Sequence, residues 1–231
     1  MAISQKAISD SCSERLKQEN IELWKRLENH PFIIGYEKGT LSLSNMGRYL
    51  VNDHLYVVDY GKCCAIAASK AQDMETVRGF LTMAGGAIDS EFKKQGILAK
   101  EVGIPTDQID HVKPARTYYE YTGYMYKVAL TGTLGEIASV LAPCAWSYEE
   151  LGPRIWKGLA ANYKVSDEGL KLWEGYSLPE YRDLVTFLKG VLDRSAESAS
   201  ESEMRRIREH FRIALELEYD FWDIGLSTND Q

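Results

Sequence analysis

Apolar residues in this chain recur at three- and four-residue intervals over almost its whole length, and no segment sustains the alternation of a half-buried strand. That regularity constrains the fold most. A stripe with a helical period is buried only against other helices, so the expected class is all-α. The pattern predicts helices over about Ser11–Glu28, Ser44–Ser69, Met74 to the Gly96 region, Ala115–Thr131, Leu134–Glu150, Pro153–Tyr163, Leu178–Asp193 and Ser202–Ile224. His30-Pro31 ends the first, and Glu37-Lys38-Gly39-Thr40 reads as a turn. Gly85-Gly86 predicts an irregularity inside the third. Pro143 cannot donate to the carbonyl of Ser139, so a kink is expected there. Ser42 or Ser44 is a candidate N-cap. Ser177 is expected to cap the helix from Leu178, with Glu180 completing a capping box and Pro179 tolerated in the first turn. The reading is a single domain over residues 1–231, a bundle of about seven or eight helices, with about residues 1–10 expected to be disordered.

The charge narrows the function classes. Lys and Arg number 27 against 34 Asp and Glu, a net charge of −7. That balance argues against a nucleic-acid surface, a transcription regulator or an anionic membrane surface, which need clustered cations. Met1 to Arg15 is polar without an apolar core, so no signal peptide is expected. No run approaches the roughly 18 apolar residues of a bilayer span. The cytoplasm is the expected location, where thiols stay reduced. The four cysteines, Cys12, Cys63, Cys64 and Cys144, fit no zinc spacing. Cys63 and Cys64 point about 100° apart on a helix and read as small hydrophobes. Cys12 lies in a polar leader and reads as incidental. His30, His54, His111 and His210 form no metal-ligand pair at helical spacing, so no metal site is expected.

Polar residues interrupt three apolar stripes. Tyr49, Asp53, Tyr56 and Tyr60 share one helix face. An acid inside that aromatic stripe must be hydrogen-bonded by a neighbour or matched to a ligand, because an unpaired buried carboxylate is costly. In the last helix Glu218 breaks the stripe of Ile207, Phe211, Ala214 and Phe221. It is either ion-paired or held in an apolar pocket, where its pKa rises and it can act as an acid or base near neutrality. Ile137, Leu141, Cys144 and Tyr148 share a third face. Cys144 there is inert core unless a base or a positive environment favours the thiolate. Tyr118, Tyr121 and Tyr124 add phenols at near-helical spacing, and such rings usually pack in a core with the hydroxyl reaching a partner.

Taken in order, these segments resemble the TenA/thiaminase II family of the haem-oxygenase-like helical fold. The resemblance covers nearly the whole chain. It starts at His30-Pro31-Phe32 with Gly39-Thr40-Leu41 and runs through Tyr49-Leu50-Val51-Asn52-Asp53-His54-Leu55-Tyr56 and Tyr121-Thr122. It includes Pro143-Cys144-Ala145-Trp146-Ser147-Tyr148-Glu149-Glu150-Leu151-Gly152, then Trp173 with Tyr176, and closes on Glu218-Tyr219-Asp220-Phe221-Trp222. The resemblance implies that Cys144 is the nucleophile that attacks a pyrimidine ring and that Glu218 exchanges a proton with the ring nitrogen. It implies that Asp53 binds the amino face of the pyrimidine. Tyr56, Tyr121 and Tyr148 match tyrosines around the thiol and the hydrolytic water, and Tyr176 and Phe221 match stacking or hydrogen-bonding positions. The chain is similar to the cysteine-bearing branch, in which no metal or organic cofactor is required. Two departures stand out: Asn52-Asp53-His54 replaces the common Gln-Asp-Tyr, and Met46 replaces a phenylalanine. His54 should point about 100° from Asp53 and reads as a surface or subunit contact.

The resemblance implies a hydrolase of aminopyrimidines in thiamin salvage, with thiamin as a second substrate, acting as a homodimer or homotetramer. Two other readings stand beside it. One is a non-catalytic pyrimidine-binding protein with an inert Cys144. The other is a metal-dependent oxygenase on the same fold, disfavoured because no Glu-x-x-His pair occurs.

Overall fold

The computed structural model describes residues 11–104 and 113–227. In chain order its helices are α1 (Cys12–Glu19), α2 (Ile21–Glu28), α3 (Pro31–Lys38), α4 (Leu43–Lys70), α5 (Met74–Gly85), α6 (Phe92–Glu101), α7 (Arg116–Thr131), α8 (Leu134–Asn162), α9 (Asp167–Gly175), α10 (Pro179–Ser198) and α11 (Glu201–Asp223). A π-helical segment, Gly86–Glu91, joins α5 to α6, and a 3₁₀ turn, Ile224–Leu226, follows α11. No strand occurs among the described residues, and the all-α class is as expected. His111 and the expected disorder of residues 1–10 lie outside the described residues.

The spine of the bundle is α8, flanked by α3, α10 and α11, with α4 packed against α5 and α7. Two helices, broken between Glu150 and Pro153, are expected from the sequence; instead α8 runs unbroken through Pro143 and Pro153. Each proline removes one intrahelical hydrogen bond. The reason the helix survives is tertiary: its face is buried from Gly135 to Leu159, and packing of such a face outweighs local propensity. The Tyr60 hydroxyl adds a hydrogen bond to the Leu141 carbonyl at 3.3 Å. The capping box of Thr133 and Glu136 starts the helix.

Other local expectations are corrected as well. The expected first helix is two, because the Asn20 amide turns back on the Leu16 carbonyl at 2.8 Å and competes with the helical ladder. The expected break after His30 is the start of α3. His30 Nδ1 accepts the Phe32 amide at 3.2 Å, and Pro31 sits in the first turn, where its missing N–H is harmless. Helix α3 ends at Gly39, whose φ of 65° suits a residue without a side chain. Helix α9 was not anticipated; Ser166 caps it by accepting the Gly169 amide. Ser177 does not cap α10. Its amide belongs to the end of α9, donating to Glu174, and Leu178 takes the cap position without a side-chain bond. The Gly85-Gly86 irregularity is the π-helical segment itself.

One hydrophobic cluster extends from Cys12 to Ile224. Cys12, read as incidental, is 5 % exposed in that cluster. Cys63 and Cys64 are fully buried, as small hydrophobes would be. His54 is also buried, stacked on Phe92 at 3.8 Å, and so does not lie on the surface. The π-helical segment and α6 cover the face of α4 on which an exposed histidine was expected. Trp173, Trp222, Phe211 and Phe221 are among the largest fully buried side chains, each worth of order 1.5–3 kcal/mol of burial.

Candidate active site

Helices α4, α7, α8 and α11 and the end of α9 each contribute to one site. Asp53, Tyr56, Cys144, Tyr148 and Tyr176 line a cavity of about 220 Å³. Pockets for drug-sized ligands span roughly 300–1,000 Å³, so this one suits a single-ring compound. Glu218, Tyr121 and Phe221 are buried beside it, with Glu218 next to the cavity-lining Cys144. A larger recess of about 890 Å³ beside Arg48 and Lys113 is lined by none of the eight expected residues.

The thiol and Glu218 form the centre. The Cys144 thiol neighbours Tyr56 and Glu218, and both act on its titration; the Tyr56 hydroxyl itself donates to Met125 Sδ at 3.5 Å. Burial holds its thiol well above the usual cysteine range, and the negative Glu218 adds to that. The resting thiol is therefore neutral and needs a proton acceptor to become a nucleophile. Glu218 is 1 % exposed. It accepts the Tyr121 hydroxyl at 2.9 Å and the Trp222 indole N–H at 2.7 Å. Among the described residues its partners are neutral donors and no cation. Burial raises its carboxyl to about 7, with the hydrogen bonds from Trp222, Tyr121 and Cys144 opposing the rise. A carboxyl poised near 7 can both take and give a proton at neutral pH.

Asp53 forms the opposite edge. It is buried and accepts the Gln95 amide at 2.6 Å. Burial raises its carboxyl well above the usual range, with Glu91 and Glu218 adding repulsion. A ligand that donates hydrogen bonds to Asp53 relieves that penalty. Tyr148 is fixed on both sides: its hydroxyl meets that of Tyr49, and its ring stacks on Trp173 at 5.8 Å. Tyr176 meets Tyr148 edge-on at 5.1 Å. This close approach depends on Gly152, where a Cβ would sit 2.5 Å from that of Tyr176. Phe221 packs on Tyr56 at 5.2 Å and on Tyr121 at 6.1 Å, so it supports those rings from behind.

Sequence reasoning missed Glu91, Lys94 and Tyr181, which line the same cavity, and Gln95, which holds Asp53. Trp222 was visible, since it stands one helical turn after Glu218. Glu91 carried no signal: it follows the double glycine in a polar run without an apolar stripe to interrupt.

Residues 18–228 match the model of the TENA/THI-4/PQQC family. The chain belongs to that family. Among curated relatives, this TENA/THI-4/PQQC protein is 31% identical over 205 residues to the aminopyrimidine aminohydrolase of Halalkalibacterium halodurans, spanning 88% of this chain and 90% of that one. Its fold is similar to the TenA homologue from P. horikoshii OT3, with a TM-score of 0.80 and 25% identity over 93% of this chain and 98% of that one. The haem oxygenase of Leptospira interrogans shares the fold alone, with a TM-score of 0.64 and 16% identity over 92% of this chain and 98% of that one.

Proposed function

We propose that this protein is an aminopyrimidine hydrolase of thiamin salvage. It converts 4-amino-5-aminomethyl-2-methylpyrimidine to the hydroxymethylpyrimidine, and thiamin is a second substrate. The observation that carries this reading is the contact of the cavity-lining Cys144 thiol with a buried, cation-free Glu218 whose carboxyl is raised to about 7. The similarity to an aminopyrimidine aminohydrolase over 88% of this chain supports the choice of substrate class.

The chemistry follows from the arrangement. A neutral aminopyrimidine is a poor electrophile, because its amino group feeds electrons into the ring. Asp53 accepts from that amino group and fixes the ring. Glu218 takes the proton of Cys144 and passes it to the ring nitrogen, so one carboxyl creates the nucleophile and activates the electrophile. The sulfur bonds to the ring carbon beside the one that bears the exocyclic methylene. The displaced ring electrons expel the substituent, and the C–N bond breaks with its pair on nitrogen. Water adds to the methylene carbon and gives its proton to the departing ammonia. The thiolate leaves, the ring is restored, and the ring proton returns to sulfur through Glu218. Tyr56 and Tyr121 hold the thiol and Glu218 in place, and Tyr148 and Tyr176 form the wall that the ring meets. No step calls on a metal or organic cofactor. The reading extends to a cytoplasmic homodimer or homotetramer, supported by the free thiols and the family resemblance.

Product formation from the aminomethylpyrimidine and from thiamin, for the native protein and for Cys144→Ser, tests this reading. Hydroxymethylpyrimidine from the native protein, lost in the variant, is the expected result. Tight pyrimidine binding without turnover of either compound would instead make the protein a binding protein.

A further inference from the structure

The π-helical segment delivers a carboxylate that the reaction above leaves unused. Glu91 ends that segment and lines the same cavity as Asp53 and Cys144. Single π turns inside helices occur often at functional sites. The Tyr176 hydroxyl donates to Glu91 Oε1 and ties the carboxyl to the wall opposite Gly152. Lys94, one turn further on, is a cation on the same wall, but Asp53, Glu91 and the rim residue Glu180 leave the lining acidic. Burial raises Glu91 to about 7, while Tyr176 and Lys94 oppose that rise.

The position of Glu91 follows the substrate's geometry. Glu91 lines one cavity together with Asp53 and Cys144. On an aminopyrimidine the carbon bearing the exocyclic methylene lies between the carbon bearing the amino group and the carbon the thiol attacks. A ring whose amino group meets Asp53 turns the neighbouring exocyclic substituent along the lining beside Asp53, and that lining includes Glu91.

Resting on the hydrolase reading, we propose that Glu91 is the specificity-determining residue for that substituent: its carboxylate receives the ammonium of an aminomethylpyrimidine and selects a cationic substituent over a neutral one. The ammonium needs no further proton to depart. The C–N pair leaves with nitrogen as ammonia, and the acidic wall holds the cation until the bond breaks.

The test compares two substrates that differ in this charge, the aminomethylpyrimidine and its neutral N-formyl derivative. In Glu91→Gln the ratio of kcat/KM for amine over formamide falls roughly 10- to 100-fold, the loss of one charged hydrogen bond. Glu91→Asp restores part of the ratio, because it keeps the charge. A parallel loss on both substrates, or an unchanged ratio, would overturn the assignment. Binding separates this inference from the hydrolase reading. If the native protein turns over neither compound, the hydrolase reading fails, and the affinity ratio of aminomethyl- to hydroxymethylpyrimidine still decides the role of Glu91. A ratio that collapses in Glu91→Gln supports the role, and one that persists contradicts it.

Discussion

Glu37 and Glu218 both stand on helices beside aromatic rings, and the fold gives them opposite company. Glu37, on α3, receives both arms of the Arg154 guanidinium, at 2.6 and 2.9 Å. Arg154 holds the Glu37 carboxyl below the usual range, outweighing its burial. Glu218 receives a phenol and an indole, and its carboxyl rises to about 7. The same kind of cation tie is found deeper in the bundle. Glu136, 4 % exposed on α8, pairs with Arg206 and accepts the Thr133 amide at 3.0 Å. The lesson is that a buried acid given a cation is a structural tie, whereas one given only neutral donors is a proton carrier.

The largest effect that could break this contrast is catalytic. Glu218→Gln should lower kcat/KM on the order of 10²–10⁴-fold, whereas Glu37→Gln should leave it unchanged. Steady-state turnover of the aminomethylpyrimidine checks both. The pH profile sharpens the point. The active form holds one proton on the Cys144–Glu218 pair, and below about 7 both groups are protonated. The native kcat/KM should therefore rise with pH through about 7, and that limb should vanish in Glu218→Gln. A fall with rising pH through the same range would mean that Glu218 acts only as an acid.

A smaller loss is expected at Gly152→Ala. The new methyl displaces Tyr176, and misplacement of a wall residue by an ångström can lower the rate on the order of 10²-fold. The loss should appear in kcat/KM with the helical circular dichroism retained.

Stability separates the two acids with opposite signs. The carboxyl of Glu218 rises from an ordinary 4.5 to about 7 on folding. Below 4.5 both states are protonated and there is no penalty. Between 4.5 and about 7 the unfolded chain releases its proton first, so stability falls as pH rises, and the penalty is complete above about 7. Glu218→Gln should thus stabilise the protein at pH 8 by up to about 3 kcal/mol, measured by urea unfolding. Glu37 has the opposite sign, because its folded value is depressed. Its contribution is present above the unfolded value and lost as pH falls through the folded one. Glu37→Gln should destabilise by about 1 kcal/mol or less at neutral pH, since the pair is partly exposed.

The parts of the site that break an apolar stripe were legible in the sequence. Asp53, Cys144 and Glu218 each interrupt a helical face, and the structure brings all three to one cavity and the residues buried beside it. Glu91 and Gln95 were not legible, because the helical period is lost across Gly85-Gly86 and no stripe remains to be broken. The fold was missed at particular places. The proline rules are local, and α8 is kept continuous past both prolines by burial that depends on α3, α10 and α11. Helix α3 is eight residues long, too short for a period to stand out. Cys12 looked polar by its neighbours and is buried by α10, whose Asp193 accepts the Ser13 amide at 2.7 Å.

The central claim is that the fold withholds a cation from Glu218 to keep its carboxyl near neutrality. The direct measurement is a titration of ¹³C-labelled glutamate carboxyls by NMR in the Cys144→Ser protein, with Glu218→Gln used to assign the resonance. A Glu218 carboxyl that titrates near 7 is the expected result. A titration at the ordinary value of 4.5 would contradict the account, because the carboxylate would then be too weak a base to take the proton from the buried thiol.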